Sequence, residues 1–181
     1  SRGLGDVYKR QVLYVCYDNE AYMNTGIQGS SATPYGANTT TTPAGKPTYK
    51  KDLLKIAIAH HIPYAAACSA ANLPDLVKKV KKAKDVAGPA LLHVHTPCPT
   101  GWAYPPAKSI EVCQMAIETG AWVLYEYENG RITVNRKVKE LRPIRDYLSL
   151  QGRFKKMTEA DMEVLQKETA ARYRELLASE G

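Results

Sequence analysis

Hydrophobic and polar positions divide the chain into short apolar runs separated by polar stretches of very unequal length. Residues 12–17 (VLYVCY) are continuously apolar and β-prone, which predicts a strand covered on both faces. Residues 51–60 (KDLLKIAIAH) place Leu54, Ala57 and Ile58 on one side of a helix. Residues 62–69 (IPYAAACS) read as a second strand. Pro74 then opens a helix to Asp85, since a proline in the first turn withholds an N–H that has no partner there. In that helix Leu76, Val77, Val80 and Ala83 form the expected apolar stripe, and lysines 78, 79, 81, 82 and 84 face outward. Residues 89–96 (PALLHVHT) make a third strand. Residues 109–120 form a helix with Ser109 as N-cap and a terminal Gly120. Residues 122–135 fold into a β-hairpin about Asn129-Gly130, the pair favoured in a type I′ turn. Residues 158–178 are helical, begun by the capping-box-like TEAD.

The order strand–loop–helix–strand–helix–strand implies an α/β fold: a parallel sheet flanked by helices, with a β-hairpin and a C-terminal helix appended. Ligands of such sheets bind beyond the carboxyl ends of the strands. Two unusual loops, after Tyr17 and after Thr96, follow such ends. The first runs for some thirty residues of small polar groups, Gly and Pro. Loops beyond roughly 12–15 residues without regular structure are uncommon and usually functional or disordered. Tyr17, Tyr22 and Tyr35 are the aromatic anchors expected to tie this one down.

Composition narrows the class. The chain has 181 residues, 44% hydrophobic and 24% charged, with mean hydropathy −0.38. This fits one soluble domain with a real core. No apolar run reaches the roughly 18 residues of a membrane span, and no hydrophobic signal core opens the chain. Cys16, Cys68, Cys98 and Cys113 have no regular spacing, so a reducing cytoplasm is expected rather than a disulfide framework. A net charge of +7 and pI near 9.2 admit an acidic partner, but no nucleic-acid motif is present. Residues 1–11 (SRGLGDVYKRQ) show neither helical nor strand period and resemble a translated adapter scar, so they are set aside from the fold.

Asp18-Asn19-Glu20 ends the first strand. Short oxygen-bearing side chains next to free carbonyls suit a hard divalent cation, and Mg²⁺ takes only one or two protein carboxylates beside phosphate and water. A Gly- and Thr-rich loop also exposes N–H groups to phosphate. A polar turn after a strand explains the same residues. His93 and His95 share a strand face near Cys98, in the manner of a mononuclear metal site, although strand histidines more often satisfy local hydrogen bonds. The lysines of the second helix would attract an acidic partner, or simply keep that face wet.

The stretches "YVCYDNEAYMNTGIQGSSATPYGANTTTTPAGK", "HTPCPTGWAYPP" and "YEYENG" strongly resemble the β subunit of the 2-oxoacid:ferredoxin oxidoreductases, pyruvate:ferredoxin oxidoreductase (pyruvate synthase) above all. The similarity runs from Val12 to the C-terminal helix. It implies a partial thiamine-diphosphate-binding fold over residues 12–135, with 136–181 a helical extension. It implies oxidative decarboxylation of pyruvate to acetyl-CoA and CO₂, with electrons passed through a 4Fe–4S cluster to ferredoxin. By the same resemblance Asn19 and the carbonyl of Ala21 match Mg²⁺ ligands, and Asn24 matches an active-site asparagine beside the thiazolium ring. Thr25, Gly26 and Gln28 line the cofactor loop, Asp18 assists, and Cys98 matches a lone fourth ligand of the cluster. Partners implied are alpha, gamma and delta subunits, ferredoxin, pyruvate and coenzyme A. A 2-oxoisovalerate or oxalate oxidoreductase subunit, or a non-catalytic α/β interaction module, are the alternatives. The family's Gly-Asp-Gly motif and its paired cysteines do not occur in this sequence at the places that match, so the chain alone is expected to bind neither cofactor well.

Overall fold

The structure, a computed structural model, describes residues 12–180. The expected scar at residues 1–11 lies outside them. Five strands form one mixed sheet in the order β1-β3-β2-β4-β5: β1 (Leu13–Asp18), β2 (Tyr64–Ser69), β3 (Ala90–His95), β4 (Tyr125–Glu128) and β5 (Arg131–Val134). The first three are parallel, as their order along the chain requires. The hairpin does not stand apart: β4 pairs antiparallel with β2 and extends the sheet. Its turn residues Asn129 and Gly130 have φ of 48° and 91°, the two positive values a type I′ turn needs.

Register aligns the carboxyl ends. Asp18 and Ser69 both stand opposite His95 of the central strand β3, so the loops that follow these strands leave from one edge. Every residue of β2 and β3 is buried, as expected of strands covered on both faces. β1 corrects that expectation. It is an edge strand whose Leu13, Tyr14, Val15 and Tyr17 are exposed, because it pairs only with β3. A continuous apolar run does not say which strand sits at the edge.

The helices are α1 (Leu53–Ala59), α2 (Leu73–Asp85), the single turn α3 (Pro99–Trp102), α4 (Ser109–Glu118), α5 (Ile144–Leu148) and α6 (Glu159–Ala178). On one face of the sheet, α2 covers Tyr64, Ala66, Cys68, Ala90, Leu92 and Val94 with Leu76 and Ala83. The other face holds the larger core around Trp102, Val112, Ile117, Trp122, Leu124, Tyr147 and Phe154. Lys79 overturns the outward placement of the α2 lysines. It is fully buried on the sheet-facing side, where Nζ donates to Ala67 O at 2.8 Å and pairs with Asp75 at 2.7 Å. Lys82 turns to the hairpin glutamates Glu126 and Glu128. Val77 and Val80, assigned to the inner stripe, are exposed instead, because α2 meets the sheet through 76, 79 and 83.

Ser109 is the first residue of α4 rather than its cap. A 3₁₀ turn at Pro106–Lys108 leads in, and Ser109 Oγ donates to Pro106 O at 2.7 Å. Gly120, at φ 75°, ends α4 as expected. Thr158 and Asp161 form the capping box of α6.

Candidate functional site

Asp18 closes β1, and its carbonyl accepts from Thr96 N at 3.0 Å, which binds the two unusual loops together at their roots. Both carboxylate oxygens have partners. Oδ1 accepts from Glu20 N at 2.9 Å; Oδ2 meets Lys50 Nζ at 2.5 Å and His93 Nε2 at 2.6 Å. Glu20 is buried in the left-handed region (φ 65°), between Lys50 at 2.7 Å and Arg153 at 2.6 Å. Two carboxylates and two cations thus form a chain, Asp18–Lys50–Glu20–Arg153, in which all but the half-buried Lys50 are buried. Burial would raise both carboxyls. Around Asp18 the His93 hydrogen bond and the Lys50 charge prevail, and around Glu20 the charges of Lys50 and Arg153 do, so both stay ionised well below the usual range.

Asn19 and Ala21 flank Glu20 and face the solvent edge half-buried. The carbonyl of Asn19 accepts from Trp102 Nε1 at 2.8 Å, while its side-chain oxygen makes only a long contact of 3.4 Å with Ala21 N. From Tyr22 to Gln28 the chain forms a tight hairpin, closed by Tyr22 N→Gln28 O at 2.9 Å and Gln28 N→Tyr22 O at 3.1 Å. Asn24, Thr25 and Gly26 stand exposed at its tip; Thr25 Oγ1 donates to Gln28 Oε1 at 2.9 Å. Thr40 braces the hairpin from behind, bonding Gly26 O at 2.7 Å through its hydroxyl and Ile27 O at 3.0 Å through its N–H. A Cβ on Gly101, in α3, would overlap the Met23 sulfur, so glycine lets the α3 turn sit against the hairpin with Met23 in its present position. Cys98 caps α3, its Sγ accepting from Gly101 N at 3.4 Å. Asp18, Asn19, Ala21, Asn24, Thr25, Gly26, Gln28 and Cys98 therefore gather at one edge of the sheet.

The expected tyrosine anchors fare unevenly. Tyr17 and Tyr22 are exposed, and only Tyr35 anchors, its hydroxyl donating to Asp161 of α6 at 2.9 Å. Buried Thr33, Ala37 and Lys46 hold the rest of the loop: Lys46 Nζ donates to Thr33 O and Thr33 Oγ1 to Glu20 O, both at 2.6 Å. His93 is engaged by Asp18. His95 lies between the rings of Trp122 and Trp102, with centroids 4.7 and 5.5 Å away, so with Cys98 the two histidines do not assemble a mononuclear site. Among the described residues no three His, Cys, Asp or Glu side chains come together as a metal group. Cys68 and Cys113 are buried, with burial pushing both thiols up, to about 12 for Cys68.

Burial pulls His95 down to about 4 from its ordinary 6.5. As pH falls the unfolded chain therefore takes up this proton first. The stability that neutral His95 contributes is complete above pH 6.5 and is lost as pH drops from there to about 4, a span worth about 3 kcal/mol. Urea unfolding at pH 7 and pH 4.5 should show wild type losing more stability than His95→Phe, which keeps a ring between the tryptophans. Equal losses would contradict the assignment.

The comparisons with known proteins fall on these residues. Residues 7–94 match the family described as thiamine pyrophosphate enzyme, C-terminal TPP binding domain. The ketoisovalerate oxidoreductase subunit VorB of Pyrococcus abyssi is 52% identical over 162 residues, 86% of this chain and 52% of its own. The pyruvate synthase subunit PorB of Methanothermobacter marburgensis is 48% identical over 153 residues, 82% of this chain and 53% of its own. This chain belongs to the 2-oxoacid:ferredoxin oxidoreductase β-subunit family. It spans about half the length of the curated relatives it matches. A 2-oxoglutarate:ferredoxin oxidoreductase from Magnetococcus marinus aligns over 49% of this chain and 30% of its own, at 28% identity and TM-score 0.47.

Reasoning from sequence did not reach the buried charges of this β-subunit-family site. Lys50 and Arg153 lie 30 and 133 residues from Glu20, and no periodicity links them to it. No local signal marks Arg153 either, since Lys155 and Lys156 follow it directly after Phe154 and the run reads as an ordinary basic surface segment.

Proposed function

We propose that this chain supplies the cofactor-facing part of the β subunit of a 2-oxoacid:ferredoxin oxidoreductase that converts pyruvate and coenzyme A to acetyl-CoA and CO₂, two electrons passing to ferredoxin. The observation that carries this reading is the hairpin of residues 22–28, which directly follows the charge-paired Asp18–Glu20 segment at the carboxyl end of β1 in a chain of this family.

The residues fit the cofactor. Asn19 Oδ1 and the Ala21 carbonyl are neutral oxygen donors at the solvent edge, of the kind Mg²⁺ accepts beside phosphate oxygens. Asn24, Thr25, Gly26 and Gln28 offer amide, hydroxyl and backbone groups to the cofactor from the hairpin. Asp18, already bonded to Lys50 and His93, supports the loop from beneath. Thiamine diphosphate, when bound, supplies the electron sink for loss of CO₂ from a 2-oxoacid. The chain's own part is to hold the metal and diphosphate, orient the ring and keep the site's charges fixed.

Cys98 presents one half-buried thiol at the same edge. Ligation of a 4Fe–4S cluster ordinarily takes four cysteines, and the other three lie in the strands and helices of the body, so these residues do not by themselves hold a cluster. In the complete enzyme Cys98 is a single ligand. Cys98→Ser there should lose or perturb one cluster's electron paramagnetic resonance signal while the fold persists; an unaltered signal would return Cys98 to the role of a helix cap. The cytoplasm, the alpha, gamma and delta subunits and ferredoxin complete this reading.

A second substrate has its own support, because relatives named ketoisovalerate oxidoreductase subunit VorB match as closely as those named pyruvate synthase subunit PorB, at 52% identity in each case. Comparing kcat/KM for ferredoxin reduction with pyruvate and with 2-oxoisovalerate, in the assembled enzyme, decides between them. Preference for pyruvate is expected. Preference for 2-oxoisovalerate would change the substrate, and absence of any 2-oxoacid-dependent reduction would overturn the function.

A further inference from the structure

Arg153 touches both halves of the candidate site from a segment that belongs to neither. It is buried, and its NH2 reaches Glu20 Oε2 at 2.6 Å. The guanidinium lies 3.6 Å from the centre of the Trp102 ring, and Nε donates to Gln151 Oε1 at 2.9 Å. Its carbonyl accepts from Asn38 N at 2.8 Å, reaching the far side of the long loop. One residue earlier, Gly152 N donates to Ala103 O at 3.1 Å, and a Cβ on Gly152 would stand 2.7 Å from Ala103 Cβ.

These contacts close a ring. Arg153 pairs with Glu20; Glu20 is bonded through the backbone to Asn19; the Asn19 carbonyl accepts from Trp102 Nε1; and Trp102 stacks under Arg153. Glu20 sits in a left-handed conformation that a non-glycine residue keeps only when its surroundings hold it there. That conformation directs the side chain of Asn19 and the carbonyl of Ala21 on either side. Trp102, in turn, ends the α3 turn that Cys98 begins.

We propose that Arg153 is a positioning residue, which through Glu20 and Trp102 fixes the loop bearing Asn19 and Ala21 against the turn bearing Cys98. This rests on the reading of residues 19–28 as the Mg²⁺–diphosphate loop. Neutralising Glu20 is not its distinctive task, since Lys50 also meets that carboxylate at 2.7 Å. Its distinctive property is a planar, permanently charged group that pairs at its edge and stacks on its face. Lysine reproduces the pairing and not the stacking.

The test uses the complete oxidoreductase as wild type, Arg153→Lys, Arg153→Gln and Glu20→Gln. Two quantities are read: Mg²⁺-dependent affinity for thiamine diphosphate, and amide hydrogen exchange along residues 19–28 compared with β2 and β3. Arg153→Gln and Glu20→Gln should each weaken affinity about 10- to 100-fold, the range for partners that orient metal ligands. Both should speed exchange in 19–28 by at least about 10-fold while the strands keep their protection, with Arg153→Lys intermediate. Because the two residues act through one contact, the double variant should lose little more than either single one. Should Arg153→Gln not fold, the isosteric Glu20→Gln breaks the same contact with Lys50 and Arg153 still present. Unchanged affinity with exchange rising uniformly would overturn the proposal and leave Arg153 a core residue. A wild-type enzyme that binds no thiamine diphosphate would instead sink the underlying cofactor reading, while the exchange pattern would still judge the positioning role.

Discussion

Replacing Lys79 by methionine is expected to destabilise the chain by about 3 kcal/mol, the lower end of the cost of removing one partner from a buried ion pair. Methionine nearly fills the same volume, so the loss is electrostatic. Asp75, largely buried at 2.7 Å, is left without its cation, and the Ala67 carbonyl at 2.8 Å loses its donor. Asp75 lies in the first turn of α2, where the helix dipole compensates part of its charge, and this keeps the cost at the low end. Adding Asp75→Leu should restore most of the loss, because apolar residues of similar volume replace buried pairs at little cost. Urea denaturation of the two variants checks both statements. A change under about 1 kcal/mol for Lys79→Met would mean that Lys79 is solvated after all.

Asn19→Ala in the complete enzyme should weaken Mg²⁺-dependent binding of thiamine diphosphate about 10- to 100-fold, the equivalent of one strong oxygen contact to a charged group. The fold should be untouched, since the Asn19 side chain makes only the long 3.4 Å contact to Ala21 N, and the Trp102 bond uses its main-chain carbonyl. Equilibrium dialysis with labelled cofactor, with and without Mg²⁺, separates the metal's share from the rest. Unchanged affinity would remove Asn19 from the ligand set.

The parallel strands, the I′ hairpin and the capped C-terminal helix were legible because each depends on local chemistry: period, Asn-Gly, Thr-x-x-Asp. The candidate loop was legible for a related reason, as its small residues and length stand out against the strand before it. What stayed hidden depends on contacts distant in sequence. Val12–Tyr17 reads as buried, yet its run lies on the sheet edge. Lys79 reads as solvated by its charge, yet its position relative to Leu76 and Ala83 turns it inward, where Asp75 and Ala67 receive it. Glu20 reads as part of an acidic cation site, and the fold instead sets it between Lys50 and Arg153 as an anchor beneath the loop. Charge invites a ligand in a sequence, while in the structure a buried countercharge often meets it first.

The most direct test of the central claim is a calorimetric titration of thiamine diphosphate into the complete β subunit, with and without Mg²⁺. The account predicts saturable binding of one cofactor per subunit that requires Mg²⁺ and weakens in Asn19→Ala. Absence of binding by a folded, complete subunit in the presence of Mg²⁺ would contradict it.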